Sequence, residues 1–142
     1  MDKYRKVEKL LYNYKMLQIS IKNMQEEIEF IQNDYGIQGI SYDGIATSPT
    51  HKFSSSVENT ALSKSEKIHY LECQIENMQR DIDMVDRTLK GLTQLERDVV
   101  TEKYINSKQW WQVGSKVRFS ESWCKKIRKR AIDKMVVGVY GR

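Results

Sequence analysis

The sequence predicts an all-α protein: a long N-terminal coiled-coil helix pair, arranged as a hairpin or as a dimer, followed by a C-terminal helix-turn-helix. Three observations lead there. Two separate stretches carry an unbroken run of apolar residues at alternating spacings of three and four. The 142 residues contain a single proline, and 30% of them are charged, a share that suits long solvated helices better than a compact β fold. The charge is also unevenly placed. Residues 93–142 hold twelve Lys/Arg against five Asp/Glu, whereas residues 1–92 hold twelve against fourteen, so a net of +7 follows a net of −2. A near-neutral first part and a basic last third suggest scaffolding or self-association, then contact with a polyanion.

The first heptad helix, placed in 1–33, aligns Val7, Leu10, Tyr14, Leu17, Ile21, Met24, Ile28 and Ile31 at a and d positions. The second, placed in 64–92, repeats the pattern with Ile68, Leu71, Ile75, Met78, Ile82, Val85, Leu89 and Leu92. A 3.5-residue period sustained over four repeats reads as coiled-coil packing. Equal lengths invite an antiparallel hairpin. The flanks agree, because the second helix sets Glu72, Asp81 and Asp86 beside its seam and would repel a copy of itself, while the first offers Asn13, Gln18, Ser20 and Gln25. Leu11, Ile19 and Phe30 lie off the first seam and suggest a wider buried face, as in a four-helix dimer interface. Between the helices, 34–63 is a Gly/Ser-rich connecting segment with Gly36, Gly39, Gly44, Pro49 and Ser54-Ser55-Ser56. Its length, about thirty residues, far exceeds the usual helix–helix loop. Tyr35, Ile37, Tyr42 and Phe53 suggest partial order against the helices.

The unit 93–142 opens on Thr93 with Glu96 three residues later, a capping-box arrangement. Leu95, Val99, Val100 and Tyr104 form the apolar stripe of the helix that follows, and Asn106-Ser107 breaks it. A short helix within 108–117 then presents Trp110, Val113 and Val117 on one face, with Gly114 where a neighbouring helix must cross closely. Arg118-Phe119 makes the turn, and Ser120 is a good N-cap for the last helix. Cys124, Ile127, Ala131, Ile132 and Met135 are its inward stripe; Glu121, Ser122, Trp123, Lys125, Lys126, Arg128, Lys129, Arg130 and Lys134 occupy the other faces. A basic helix with a polar tip is what entry into the DNA major groove requires, since lysines and arginines neutralise phosphates while the first turn reaches base edges. Trp110 is expected in the core, whereas Trp111 and Trp123 lie off the stripe, and an exposed tryptophan favours a role in contact.

The stretch Leu92-Thr93 to Val100, then Trp110 to Ser120, then Ser120 to Met135, resembles the region-four helix-turn-helix of bacterial sigma factors. Leu92-Thr93, Glu96, Val99, Val113-Gly114, the Ser120 cap and the spacing of Cys124, Ile127, Ala131 and Met135 carry the likeness, over about forty-five residues. The resemblance implies that the positions after the cap, here Glu121, Ser122, Trp123, Lys125 and Lys126, read DNA. The whole layout, with Ser41-Tyr42-Asp43-Gly44 and Ser48-Pro49 between the helices and Val57-Glu58 before the second, is similar to phage late-gene regulators of the RinA and ArpU type. That likeness implies activation of late operons in a phage or prophage of a low-GC Gram-positive host, hence a place in the bacterial cytoplasm. Nothing here resembles the promoter-melting helix of a complete sigma factor.

The expected DNA-binding residues are therefore Arg118, Ser120, Glu121, Ser122, Trp123, Lys125, Lys126, Arg128 and Lys129. Glu121 suits a cytosine amino group, and the lysines suit phosphates or guanines. The expected partners are double-stranded DNA, a second copy through the coiled coil and, as an added role, RNA polymerase. Two other readings compete: a phage small terminase subunit, which also joins such a motif to a helical oligomerisation region, and an adaptor whose basic helix docks on polymerase. No membrane span is expected, because no run nears the ~18 apolar residues one needs. Cys73, Cys124, His51 and His69 have no metal-ligand spacing, so no metal and no cofactor are expected. An enzyme is not expected either, since no nucleophile–base set or phosphate-cradling glycine loop occurs.

Overall fold

A computed structural model describes the backbone of residues 2–45 and 50–142, and the side chains of 2–33 and 63–142. All of its described elements are helical. They are α1 (Lys3–Ile45), α2 (Thr50–Lys90), α3 (Gln94–Val100), a π-helical turn (Thr101–Ile105), α4 (Trp110–Val117) and α5 (Glu121–Tyr140). No strand occurs among the described residues, and no helix there is long and apolar enough to cross a membrane. Both long helices continue beyond the limits the heptad runs suggested, to Ile45 and from Thr50. The side chains of the expected connecting segment, and with them any packing of Tyr35, Ile37, Tyr42 or Phe53, lie outside the described residues for 34–62.

Two compact units are present, residues 1–18 with 79–142, and residues 19–78. The second unit is simple. Ile21, Ile31 and Leu71 are buried, Met24, Ile28, Ile68, Ile75 and Met78 are half-buried, and Lys67 Nζ approaches Glu27 Oε1 at 3.9 Å. The positions expected to face the partner helix thus do so within one chain. Ile19 and Phe30, off the seam, are exposed.

The first unit holds everything else. Here α1 and the end of α2 share a core with the C-terminal helices: Val7, Leu11, Val85, Leu92, Val100, Tyr104, Ala131, Ile132 and Met135 are buried together. Leu11, off the heptad seam in sequence, is fully buried in that core. The seam there is widened to take α5 and the π-helical turn. Tyr14, on the seam, donates its hydroxyl to Asp86 Oδ1 at 2.6 Å. Burial and that carboxylate push its pKa up to about 12, so the phenol stays a donor throughout the neutral range. In this unit α5 takes the place of a third helix against the base of the pair.

The junction between α2 and α3 is held by polar chemistry. The α2 C-terminus leaves carbonyls with no intrahelical donor, and Arg97 supplies one, donating to the carbonyls of Leu89 and Leu92, each at 3.0 Å. The capping box is complete: the Glu96 N–H donates to Thr93 Oγ1 at 3.3 Å, and the Thr93 N–H donates to Glu96 Oε1 at 2.9 Å. Lys134 on α5 reaches the second Glu96 oxygen at 2.9 Å. Burial works to raise the Glu96 pKa, but these hydrogen bonds and the lysine outweigh it, and the carboxyl sits below its ordinary value.

Candidate nucleic-acid interface

A second, smaller core positions α4 against α5. Val99, Val113, Cys124 and Ile127 are buried in it, with Leu95, Trp110 and Val117 packed around. The short α4 begins where the Gln109 N–H donates to Gln112 Oε1 at 2.9 Å and ends at Arg118, whose backbone is left-handed at φ 64°. That conformation turns the chain at once, and it is unfavourable for a residue with a Cβ. Gly114 is required by the same turn. A Cβ there would lie 2.7 Å from the carbonyl oxygen of Phe119, so the turn can close only over a hydrogen atom. Ser120 then starts α5, its Oγ accepting the Trp123 N–H at 3.1 Å.

Cys124, Ile127, Ala131, Ile132 and Met135, the expected inward stripe, are all buried. Burial, with Glu121 beside it, raises the Cys124 thiol pKa, which keeps it an inert thiol. The opposite line of α5 follows from helical spacing: Ser122, Lys126, Lys129 and Asp133 fall at i, i+4, i+7 and i+11, and all are exposed. Lys125 flanks the line on one side, Trp123 and Arg130 on the other.

The structure sorts the nine residues expected at the interface into three groups. Ser122, Lys125, Lys126, Arg128 and Lys129 surround one open depression on α5. Arg118, Glu121 and Trp123 are exposed beside it, and Lys126 Nζ stands 6.0 Å from the Trp123 ring centroid. Ser120 is committed to the cap. Arg128 is only half-free: its Nη1 donates to Tyr104 Oη at 3.3 Å and approaches Glu8 Oε2 at 3.9 Å. Tyr104 in turn donates to Glu8 at 2.6 Å, and burial and that carboxylate raise its pKa. Burial works against the charge on Arg128 but is outweighed by Tyr104, Tyr4 and Glu8, so it stays cationic.

Several acids of the C-terminal unit are occupied. Glu96 holds Lys134, Glu102 holds Lys116 at 3.2 Å, and Asp133 holds Lys129 at 3.6 Å. Arg118, Lys125, Lys126 and Arg130 make no ion pair among the described residues. The turn and the first half of α5 thus carry four cations that no acid of the described residues neutralises, a surface that attracts polyanions. Trp111, 63% exposed, and Trp123, 40% exposed, both stand clear of the cores.

One residue at this surface was not picked out from sequence. Lys103, on the π-helical turn, lies over the Trp110 ring at 4.9 Å, together with Lys125 and Arg128. The only sequence signal was the basic residue itself, because the π insertion that aims it leaves no mark in the apolar pattern. No cluster of three or more metal-ligating side chains occurs among the described residues.

A family model described as a protein of unknown function, DUF722, matches residues 3–136. No curated protein and no solved structure matches the chain.

Proposed function

The chain belongs to the DUF722 family, and we propose that it is a sequence-specific DNA-binding transcriptional regulator whose α4–turn–α5 segment works as a sigma region-four-like helix-turn-helix. The observation that carries this reading is the exposed line Ser122–Lys126–Lys129, flanked by unpaired Lys125, Arg130 and Arg118, on a helix whose start is capped by Ser120. An α-helix fits the width of the major groove, and a basic exposed face neutralises the phosphates on its walls. Ser122 and Glu121, in the first turn, stand where base edges come within reach. Lys126 and Lys129 take phosphates or guanines, and Arg118 takes the backbone beside the turn. Arg128 acts from below, holding α5 against Tyr104 and Glu8 while keeping its charge.

Activation of phage or prophage late genes, in the bacterial cytoplasm and as a homodimer, completes the proposal; it rests on the sequence resemblance to RinA- and ArpU-type regulators. Contact with RNA polymerase belongs to the same role, and Trp111 on the outer face of α4 is the side chain best placed for it.

The test is selection of bound duplexes from a random-sequence library by the full chain. A sequence reader enriches one motif within a few rounds, and Glu121→Ala or Ser122→Ala changes that motif rather than only weakening binding. Recovery of unenriched DNA, or of none, contradicts it.

A further inference from the structure

We propose that Lys103, Lys125 and Arg128, gathered round the indole of Trp110, bind a phosphodiester group of the DNA backbone on the flank of α5. The inference rests on the DNA-binding reading above and adds Lys103 and Trp110 to the interface. Their cationic centres lie 4.9, 5.9 and 5.3 Å from the ring centroid. One cation over an indole is a common stabilising contact. Three converging on one ring repel one another, and the local acids do not cancel the charge. Glu8 is shared by Arg128 and Tyr104, while Lys103 and Lys125 make no ion pair among the described residues. Lys103 has one long hydrogen bond, to the Lys108 carbonyl at 3.4 Å, which leaves donors free on the ammonium. The Arg128 Nε is buried, so Arg128 offers the anion its charge, while the available ammonium donors are those of Lys103 and Lys125. A convergence of under-satisfied donors is what a phosphate oxygen satisfies.

The local backbone is arranged for the same end. The π-helical turn at Thr101–Ile105 closes with the Asn106 N–H donating to the Thr101 carbonyl at 2.8 Å. Its extra residue shifts the side chains after it around the helix, and such insertions recur at functional sites. Lys125 and Arg128 also border the depression shared with Ser122, Lys126 and Lys129. The phosphate site is therefore continuous with the reading line, where a backbone strand passes when that line faces the groove floor.

The experiment measures affinity of the full chain for a random-sequence duplex and for a selected one across a salt series. Wild type, Lys103→Gln, Lys125→Gln, Lys103→Arg and Lys126→Ala are compared, with thermal melts as a check on folding. Each phosphate contact adds about one to the slope of log affinity against log salt. Lys103→Gln and Lys125→Gln each lower that slope by about one and weaken both duplexes several-fold and equally, whereas Lys103→Arg restores the wild-type slope. Unchanged slopes for Lys103→Gln and Lys125→Gln, with Lys126→Ala still weakened, overturn the phosphate site and leave the DNA-binding reading standing. Absence of duplex binding by the wild type overturns both.

Discussion

The two halves of α5 face different tasks. From Ala131 to Val139 the helix is a core element: Ala131, Ile132 and Met135 are fully buried, Val136 and Val139 pack beside them, and Gly138 brings it close enough to α2 for an added Cβ to lie 2.8 Å from Thr88 Cγ2. From Glu121 to Arg130 only Cys124 and Ile127 are buried, and the remainder is a polar, strongly basic surface. One helix thus separates a buried, packing half from an exposed, basic half along its length. The buried half fixes the direction of the exposed half, and it does so against α1 and α2 rather than against α4 alone. A helix anchored in this way needs little hydrophobic core of its own, which frees its first three turns to carry charge.

Substitutions at the two ends should therefore differ in kind. The largest effect is expected for Ile132→Ala, which opens a cavity in the shared core and costs about 3 kcal/mol or more in chemical denaturation. A loss no greater than that of a surface substitution would break the comparison. Gly114→Ala comes next, at about 1–3 kcal/mol, because its Cβ meets a backbone oxygen that cannot rotate away. Gly138→Ala meets a threonine methyl instead and should cost less, and a denaturation series on the pair ranks them. Glu96→Gln keeps a side chain able to complete the capping box but loses the charge facing half-exposed Lys134, and should cost about 1 kcal/mol at neutral pH. The folded-state pKa of Glu96 is depressed, so its contribution is present above the unfolded carboxyl value and is lost as pH falls through the folded one. Wild-type and Glu96→Gln melting temperatures should therefore converge in acid; a gap that persists there contradicts the assignment. The smallest change in stability is expected for Arg118→Gly, which relieves a left-handed backbone and shifts stability upward by less than about 1 kcal/mol. It should nonetheless weaken DNA, the sharpest sign that stability and recognition are separate.

Much of this was legible in the chain. The heptad positions from Val7 to Ile31 and from Ile68 to Leu92 are all buried or half-buried, because a 3.5-residue period leaves few ways to bury one stripe on a long helix. The Thr93–Glu96 box, the Ser120 cap and the α5 stripe were equally local signals, each fixed within a turn or two of chain; Gly114 was singled out for a helix crossing, but the atom it makes room for is the Phe119 carbonyl oxygen of the turn. What escaped depends on distant partners. Leu11 reads as surplus until α5 arrives to bury it. Arg97 carries no local signal of its role, which depends on the open end of α2. Arg128 reads as another groove contact, yet Tyr104 and Glu8, 24 and 120 residues away, hold it partly inside. The burial of the last helix against the first escaped for the same reason, since no local pattern announces it.

The most direct test of the central claim is fluorescence anisotropy of a labelled duplex titrated with the full chain at several salt concentrations, alongside Lys126→Ala. The account predicts binding whose logarithm falls linearly with log salt, a shallower line and weaker binding for Lys126→Ala, and identical melting curves for the two proteins. No binding at low salt, or binding that Lys126→Ala leaves unchanged, would contradict the assignment of α5 as the reading helix.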